Sequence, residues 1–121
     1  MRKLILVLAL AAAPSLTSAA PNIAAAFGNT IVSTYPDARQ GRLWLKEDGS
    51  YTAAGRRNTP SSGKWSLKGE NICLKQRKPI SAPFAYCAKA PSGGVGTSWK
   101  AKAVTGEPIT VKVVRGMAAA K

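Results

Sequence analysis

Histidine is absent, cysteine occurs twice, and only five of the 121 residues are carboxylates. Each shortage excludes chemistry. Without an imidazole, no Ser-His or Cys-His pair can activate a nucleophile. With no histidine and no Cys-x-x-Cys spacing, a metal centre has too few ligands. The carboxylates Asp37, Glu47, Asp48, Glu70 and Glu107 fall in or beside segments rich in turn formers, where no pair can be placed across a cleft for acid–base work. "SSGK", Ser61 to Lys64, matches Ser-x-x-Lys, but that motif needs a helical turn, and Pro60, Gly63 and a strand beginning at Lys64 oppose one. "GGVGTS" and "SGKWS" lack the glycine spacing followed by Lys-Ser/Thr that cradles phosphate. The chain reads as non-enzymatic, with no metal and no cofactor expected.

Long apolar runs are also scarce. The single one, Leu4 to Ala13, follows Arg2 and Lys3, breaks at Pro14 and leads into small residues, the layout of an export signal. It is too short to remain as a spanning helix, which opposes the alternative of an uncleaved anchor. Cleavage is expected after Ala19, with Ala24-Ala25-Ala26 as a later alternative, and no cysteine follows the run for lipid attachment. The expected plan is a leader over 1–19, a linker over 20–28, a single β domain over 29–115 and a loose tail over 116–121. The expected location is the periplasm or the exterior, with no membrane anchor once the leader is gone.

In such an oxidising compartment the two cysteines read as one disulfide, Cys73 to Cys87, rather than a reactive site. The remainder of the chain alternates apolar and polar residues in short runs parted by turn formers, and no long helical period is present. Strands are expected over 29–35, 41–46, 50–56, 64–68, 71–76, 84–89, 97–104 and 109–115. "APNIAAAF" ahead of them reads as coil or one helical turn.

Register follows from asking which antiparallel pairings put apolar residues on one face. A three-residue loop "EDG", with Gly49 in the left-handed conformation, sets Leu45 opposite Tyr51 and Leu43 opposite Ala53. A Gly69-Glu70 turn sets Leu67 opposite Ile72 and Trp65 opposite Leu74. Pairing Cys73 with Cys87 sets Leu74 opposite Tyr86. A Gly106-Glu107-Pro108 loop sets Ala103 opposite Val111, Ala101 opposite Val113 and Trp99 beside Arg115. Leu43, Leu45, Tyr51, Trp65, Leu67, Ile72, Leu74, Tyr86, Trp99, Val111 and Val113 then share a buried face, with the cysteines on the other. The fold class is all-β, a small antiparallel up-and-down meander of eight strands, expected as a closed or partly closed barrel, with a two-sheet sandwich as the alternative. An eight-stranded barrel is largely filled by its own side chains, so a large ligand cavity is not expected.

Charge of one sign dominates. The net charge is +13, falling to +11 once Arg2 and Lys3 leave with the leader, a balance that implies attraction to anionic surfaces, with the solubility of a small exported protein as the alternative. The same registers place Lys64 opposite Lys75 and Lys102 opposite Lys112, with Lys100 beside them, a repulsion of about 0.2–1 kcal/mol per opposed pair. These five lysines are candidates for an anion-binding outer face; the alternative is a solvated face that guards against edge pairing. Arg42, Trp44 and Lys46 add an aromatic between two cations on the outer face of their strand, a pattern that can stack on a ring.

The run from Asn29 to Gln76, with "FAYC" and "GTSWKAKAVTGEPITVKVVRG", resembles short, uncharacterised exported proteins of Gram-negative bacteria. The elements in common are the Asp48–Tyr51 hairpin "DGSY", the Gly63-x-Trp65 strand and the cysteine pair. The resemblance implies an exported protein and supplies no activity. In plan, not in motif, the chain is also similar to small periplasmic barrel inhibitors of metallopeptidases, although both cysteines here lie mid-chain. Two expectations follow. The first is a binding protein whose lysine face meets an anionic envelope partner: lipopolysaccharide, acidic lipid or an acidic protein, with nucleic acid not expected. The second is a peptidase inhibitor acting through its N-terminal segment near Ala20 to Phe27.

Serine at both Cys73 and Cys87 should lower stability by about 3 kcal/mol, the chain-entropy value for a loop of about fifteen residues. Denaturant unfolding measures the loss. An unchanged midpoint, or two free thiols in the exported protein, contradicts the disulfide.

Overall fold

The computed structural model describes residues 21–117. The expected leader over 1–19 and the end of the expected tail lie outside the described residues. Eight strands follow one another: β1 Thr30–Thr34, β2 Gln40–Leu45, β3 Ser50–Ala54, β4 Pro60–Lys68, β5 Asn71–Lys78, β6 Tyr86–Lys89, β7 Ser98–Lys102 and β8 Pro108–Val114. They form one antiparallel sheet in the order β6-β5-β4-β3-β2-β1-β8-β7. The sheet curls until β6 approaches β7, a barrel closed except for one seam. The sandwich alternative is set aside, because all eight strands belong to one continuous sheet.

Four of the hairpins use one device. In each, a three-residue loop is closed by paired backbone bonds, from Tyr35 to Arg39, Lys46 to Ser50, Gly55 to Thr59 and Ala103 to Glu107. The third loop residue takes positive φ: Ala38 at 71°, Gly49 at 91°, Asn58 at 60° and Gly106 at 90°. This is a type I turn followed by a left-handed residue, the usual three-residue hairpin connection. Glycine suits that position because it has no Cβ to meet the carbonyl.

The device corrects the last hairpin. Gly106 is the third loop residue, not the first, so the loop is Val104-Thr105-Gly106 and not Gly106-Glu107-Pro108. Trp99 therefore lies opposite Val111, Ala101 opposite Ile109 and Lys102 opposite Pro108, while Lys112 lies between Ser98 and Val32. Lys102 and Lys112 are not opposed. The shift moves each partner by an even number of residues, so the inward set keeps its face. The other registers are as expected: Leu43 with Ala53, Leu45 with Tyr51, Trp65 with Leu74, Leu67 with Ile72, Lys64 with Lys75 and Leu74 with Tyr86. Strand β4 begins earlier than expected, at Pro60, because the tight Arg56–Asn58 loop lets Pro60 and Ser61 pair with Ala54 and Ala53.

Cys73 and Cys87 form a disulfide between directly opposed positions on the outside of β5 and β6, S–S 2.07 Å. Across the seam, where no ladder joins β6 to β7 among the described residues, Tyr86 Oη donates to the Lys102 carbonyl and Trp99 Nε1 to the Lys89 carbonyl at 3.2 Å.

The interior is packed at one end only. A 3₁₀ turn, Ile23–Ala26, stoppers that end. Ala26 is fully buried, Phe27 lies 5.9 Å from Trp65 between ring centroids, and the Asn22 amide donates to the Pro91 carbonyl at 2.7 Å. Beneath the stopper sit Leu45, Tyr51, Ile72, Val111 and Ile31. Trp65 is half-buried and fastens the β2–β3 loop twice, its indole donating to the Lys46 carbonyl and its amide to that of Gly49, each at 2.8 Å. Leu67 departs from the expected buried set: near the end of β4, it is 40% exposed.

Ala38 is the one side chain in the four loops that gains nothing from its left-handed backbone. Ala38→Gly should raise stability by about 0.5–1 kcal/mol, the left-handed cost relieved less the added freedom of the unfolded chain. Thermal melting reads this as a rise of a few degrees; a lower melting temperature contradicts the loop assignment.

Candidate functional site

Two features stand out, one on the outside of the barrel and one inside it. On the outside, the outward strand positions from β4 to β8 include Lys64, Lys68, Lys75, Lys89, Lys100, Lys102 and Lys112. Among the described residues, no strand contains a carboxylate. Acidic side chains are confined to loops, as the sequence indicates. Among the described residues, the ion pairs join Asp37 to Arg39 and Arg56, and Glu107 to Arg56. None involves a strand lysine. Asp48, beside Lys46 and Lys64, is committed elsewhere: the Ser50 hydroxyl and amide donate to it, and those bonds hold its carboxyl below the usual range.

The candidate cations are not equivalent. Lys75 opposes Lys64 but donates its Nζ to the Ala82 carbonyl, which draws it away from Lys64 and pins the β5–β6 loop. Lys100 donates to Thr110 Oγ1 at 2.9 Å. Lys64, Lys102 and Lys112 are exposed. The register carries cations around the seam: Lys68 and Lys89 both lie opposite Asn71, and the Trp99 indole joins the Lys89 backbone to the strand bearing Lys100.

Arg42, Trp44 and Lys46 do not form an open stacking platform. The Trp44 indole is half-buried and donates to Thr30 Oγ1 at 3.0 Å, and Thr30 in turn donates to the Gly116 carbonyl at 2.7 Å. Trp44 therefore helps tie β2 to β1 and the chain after β8. Arg42 has a buried Nε without a hydrogen-bond partner among the described residues and donates weakly from Nη2 to Gln40 at 3.4 Å. Lys46 alone of the three is exposed, at the end of its strand.

Inside, the end opposite the stopper is an open cup of about 490 Å³, within the common range of about 300–1,000 Å³ for small-molecule pockets. This departs from the expected filled interior, and the reason is side-chain size. The inward residues toward this end include Ser33, Gly41, Ala53, Ser61 and Ala103, too small to fill eight strands' enclosure. Leu43, Leu74 and Ile109 form aliphatic walls, and Tyr51 forms the floor. The signal was present in the strands: each inward set shrinks toward one end, Leu45-Leu43-Gly41 in β2, Ile31-Ser33 in β1 and Tyr51-Ala53 in β3.

Arg56 organises the mouth. It lies 4.4 Å from the Tyr35 ring centre, pairs with Glu107 at 2.9 Å and reaches Asp37 at 3.7 Å, and so links three loops. The Thr105 hydroxyl, then Arg56, hold the Glu107 carboxyl below its usual range. The fourth loop, β5–β6, is held by Lys75 and by Gln76, whose Nε2 donates to the Ile80 carbonyl at 2.9 Å. Comparison with known protein families, with curated proteins and with solved structures finds no match.

Burial raises the phenols of all three tyrosines, Tyr35, Tyr51 and Tyr86, above their ordinary value of about 10. A folded-state value above the unfolded one keeps its stabilisation below about pH 10 and loses it as pH rises through the folded value. The phenolate absorbance of the native protein should therefore appear above pH 10, with stability falling over that interval and Tyr51→Phe reducing the fall. Native titration at the same pH as in urea contradicts the burial.

Proposed function

We propose that this is a non-enzymatic exported protein that attaches to an anionic envelope partner, acidic lipid or lipopolysaccharide, through the lysine-bearing outer surface of β4 to β8. One observation carries the reading: these strands present cations outward with no carboxylate among them, while all five acidic side chains lie in loops, Asp37 and Glu107 paired with arginines and Asp48 bonded to Ser50. A surface meant only to be solvated gains nothing from excluding one sign, since mixed charge serves solubility equally well. The disulfide is compatible with an oxidising compartment, and among the described residues no helix is long and apolar enough to cross a membrane.

The inhibitor reading needs an N-terminal segment free to enter a peptidase. Here Ile23–Ala26 stoppers the barrel, with Phe27 against Trp65. That packing favours the outer-surface reading.

Co-sedimentation with vesicles of neutral lipid, with and without acidic lipid, and with purified lipopolysaccharide tests the proposal. At low salt the protein should pellet only with the anionic partners, and near 0.5 M salt the attachment should fall away, as screening at about 3–10 Å requires. Replacing Lys100, Lys102 and Lys112 by glutamine should weaken binding about a hundredfold, at about 1 kcal/mol for each lysine near an acidic surface. No pelleting of the unaltered protein with either partner at low salt overturns the proposal.

A further inference from the structure

We propose that the open half of the barrel binds a single-chain anionic amphiphile of the fatty-acid class, with its acyl chain in the cup and its head group at the rim. The site lies inside the barrel and shares only Lys102, at the rim, with the outer lysine surface. Three observations support it.

The first is the cup itself. Its small residues and aliphatic walls leave about 490 Å³, and Tyr51 closes the floor, so a ligand enters along the barrel axis from one end only. An apolar chain suits such a space.

The second is the lip. Phe84 is 83% exposed, Val104 76% and Ile80 73%. Phe84 and Val104 both border the cup, and they come from different loops, β5–β6 and β7–β8. Scattered exposed hydrophobics need no explanation, but apolar side chains at the entrance of an apolar cavity mark a binding site.

The third is the charge of the rim. Arg57, Lys78 and Lys102 are exposed on or beside the mouth loops and form no ion pair among the described residues. The carboxylates there, Asp37 and Glu107, are already engaged by Arg39 and Arg56. The entrance thus attracts a negative head group and repels a cationic one. A neutral lipid gains only the cup, whereas a carboxylate head gains the cup and the rim.

The exported protein is titrated with a dansyl-labelled fatty acid below its micelle concentration, and the probe is displaced with dodecanoate and with dodecanol. Binding should saturate at one probe per chain. Dodecanoate should displace it about tenfold more strongly than dodecanol, a difference of about 1.4 kcal/mol. Near 0.5 M salt dodecanol displacement should persist, which separates this site from the outer surface, whose attachment falls away. Ala53→Phe, which fills the cup, should lower probe affinity at least tenfold with the fold retained on melting. Phe84→Ser alters an exposed lip residue that folding does not require, and should lower affinity about threefold even if Ala53→Phe does not fold. Absence of saturable binding, equal displacement by the acid and the alcohol, or unchanged affinity in Phe84→Ser overturns the proposal.

Discussion

Closure at the β6–β7 seam is the constraint on which the rest of the molecule depends. Seven ladders hold the sheet together, but β6 and β7 are its two edges, and unpaired edges invite pairing with another chain. The protein covers them with each other without building an eighth ladder. The Tyr86 hydroxyl and the Trp99 indole each donate to a carbonyl of the opposite strand, so two large side chains, whose rings also fill the barrel, serve as its fastening. Strand β6 has only four residues and a single ladder partner, the weakest attachment in the sheet. The disulfide compensates by fixing it to β5.

The same closure divides the interior. Toward the stopper, large inward residues meet Phe27 and Ala26 and complete a core. Toward the mouth, the inward residues shrink and the space stays open. Arg56 then takes over the cohesion that packing no longer supplies, drawing the β1–β2, β3–β4 and β7–β8 loops together through Asp37, Glu107 and the face of Tyr35. Its pairs are partly exposed, so they contribute modestly to stability; their value lies in holding a shape. The barrel thus combines a packed end, an open end and strands whose outward charges are all cationic.

Much of this is legible in the sequence. The period-two alternation, the turn residues and the opposed cysteines fix eight strands and most registers, because a slip of one residue would expose Leu45 or Tyr51 to water. The last hairpin is misplaced for a specific reason: Gly106 can begin or end a loop, and both choices bury Val111 and Val113, so burial alone does not discriminate between them. The rule visible at Gly49 does. The lysines are legible as outward residues, yet Lys75 and Lys100 find partners in Ala82 and Thr110 that only the folded chain brings near. Trp44 faces outward as expected, but sequence spacing does not show that Thr30 will meet its indole. The cup is missed because strand number suggests a filled barrel, while the decrease of side-chain size along three adjacent strands carries the contrary information.

Amide hydrogen exchange resolved along the chain, before and after reduction of the disulfide, tests the seam most directly. Free energies of local opening differ between well-paired and poorly paired strands. In the oxidised protein, amides of β6 and β7 that face the seam should exchange faster than those of β1, which is paired on both sides. Reduction should then release β6 to the rate of the loops while β1, β2 and β8 keep their protection. Slow exchange along both sides of the seam, equal to that of β1, or an equal loss of protection in every strand on reduction, would contradict a barrel fastened by side chains and one covalent bond.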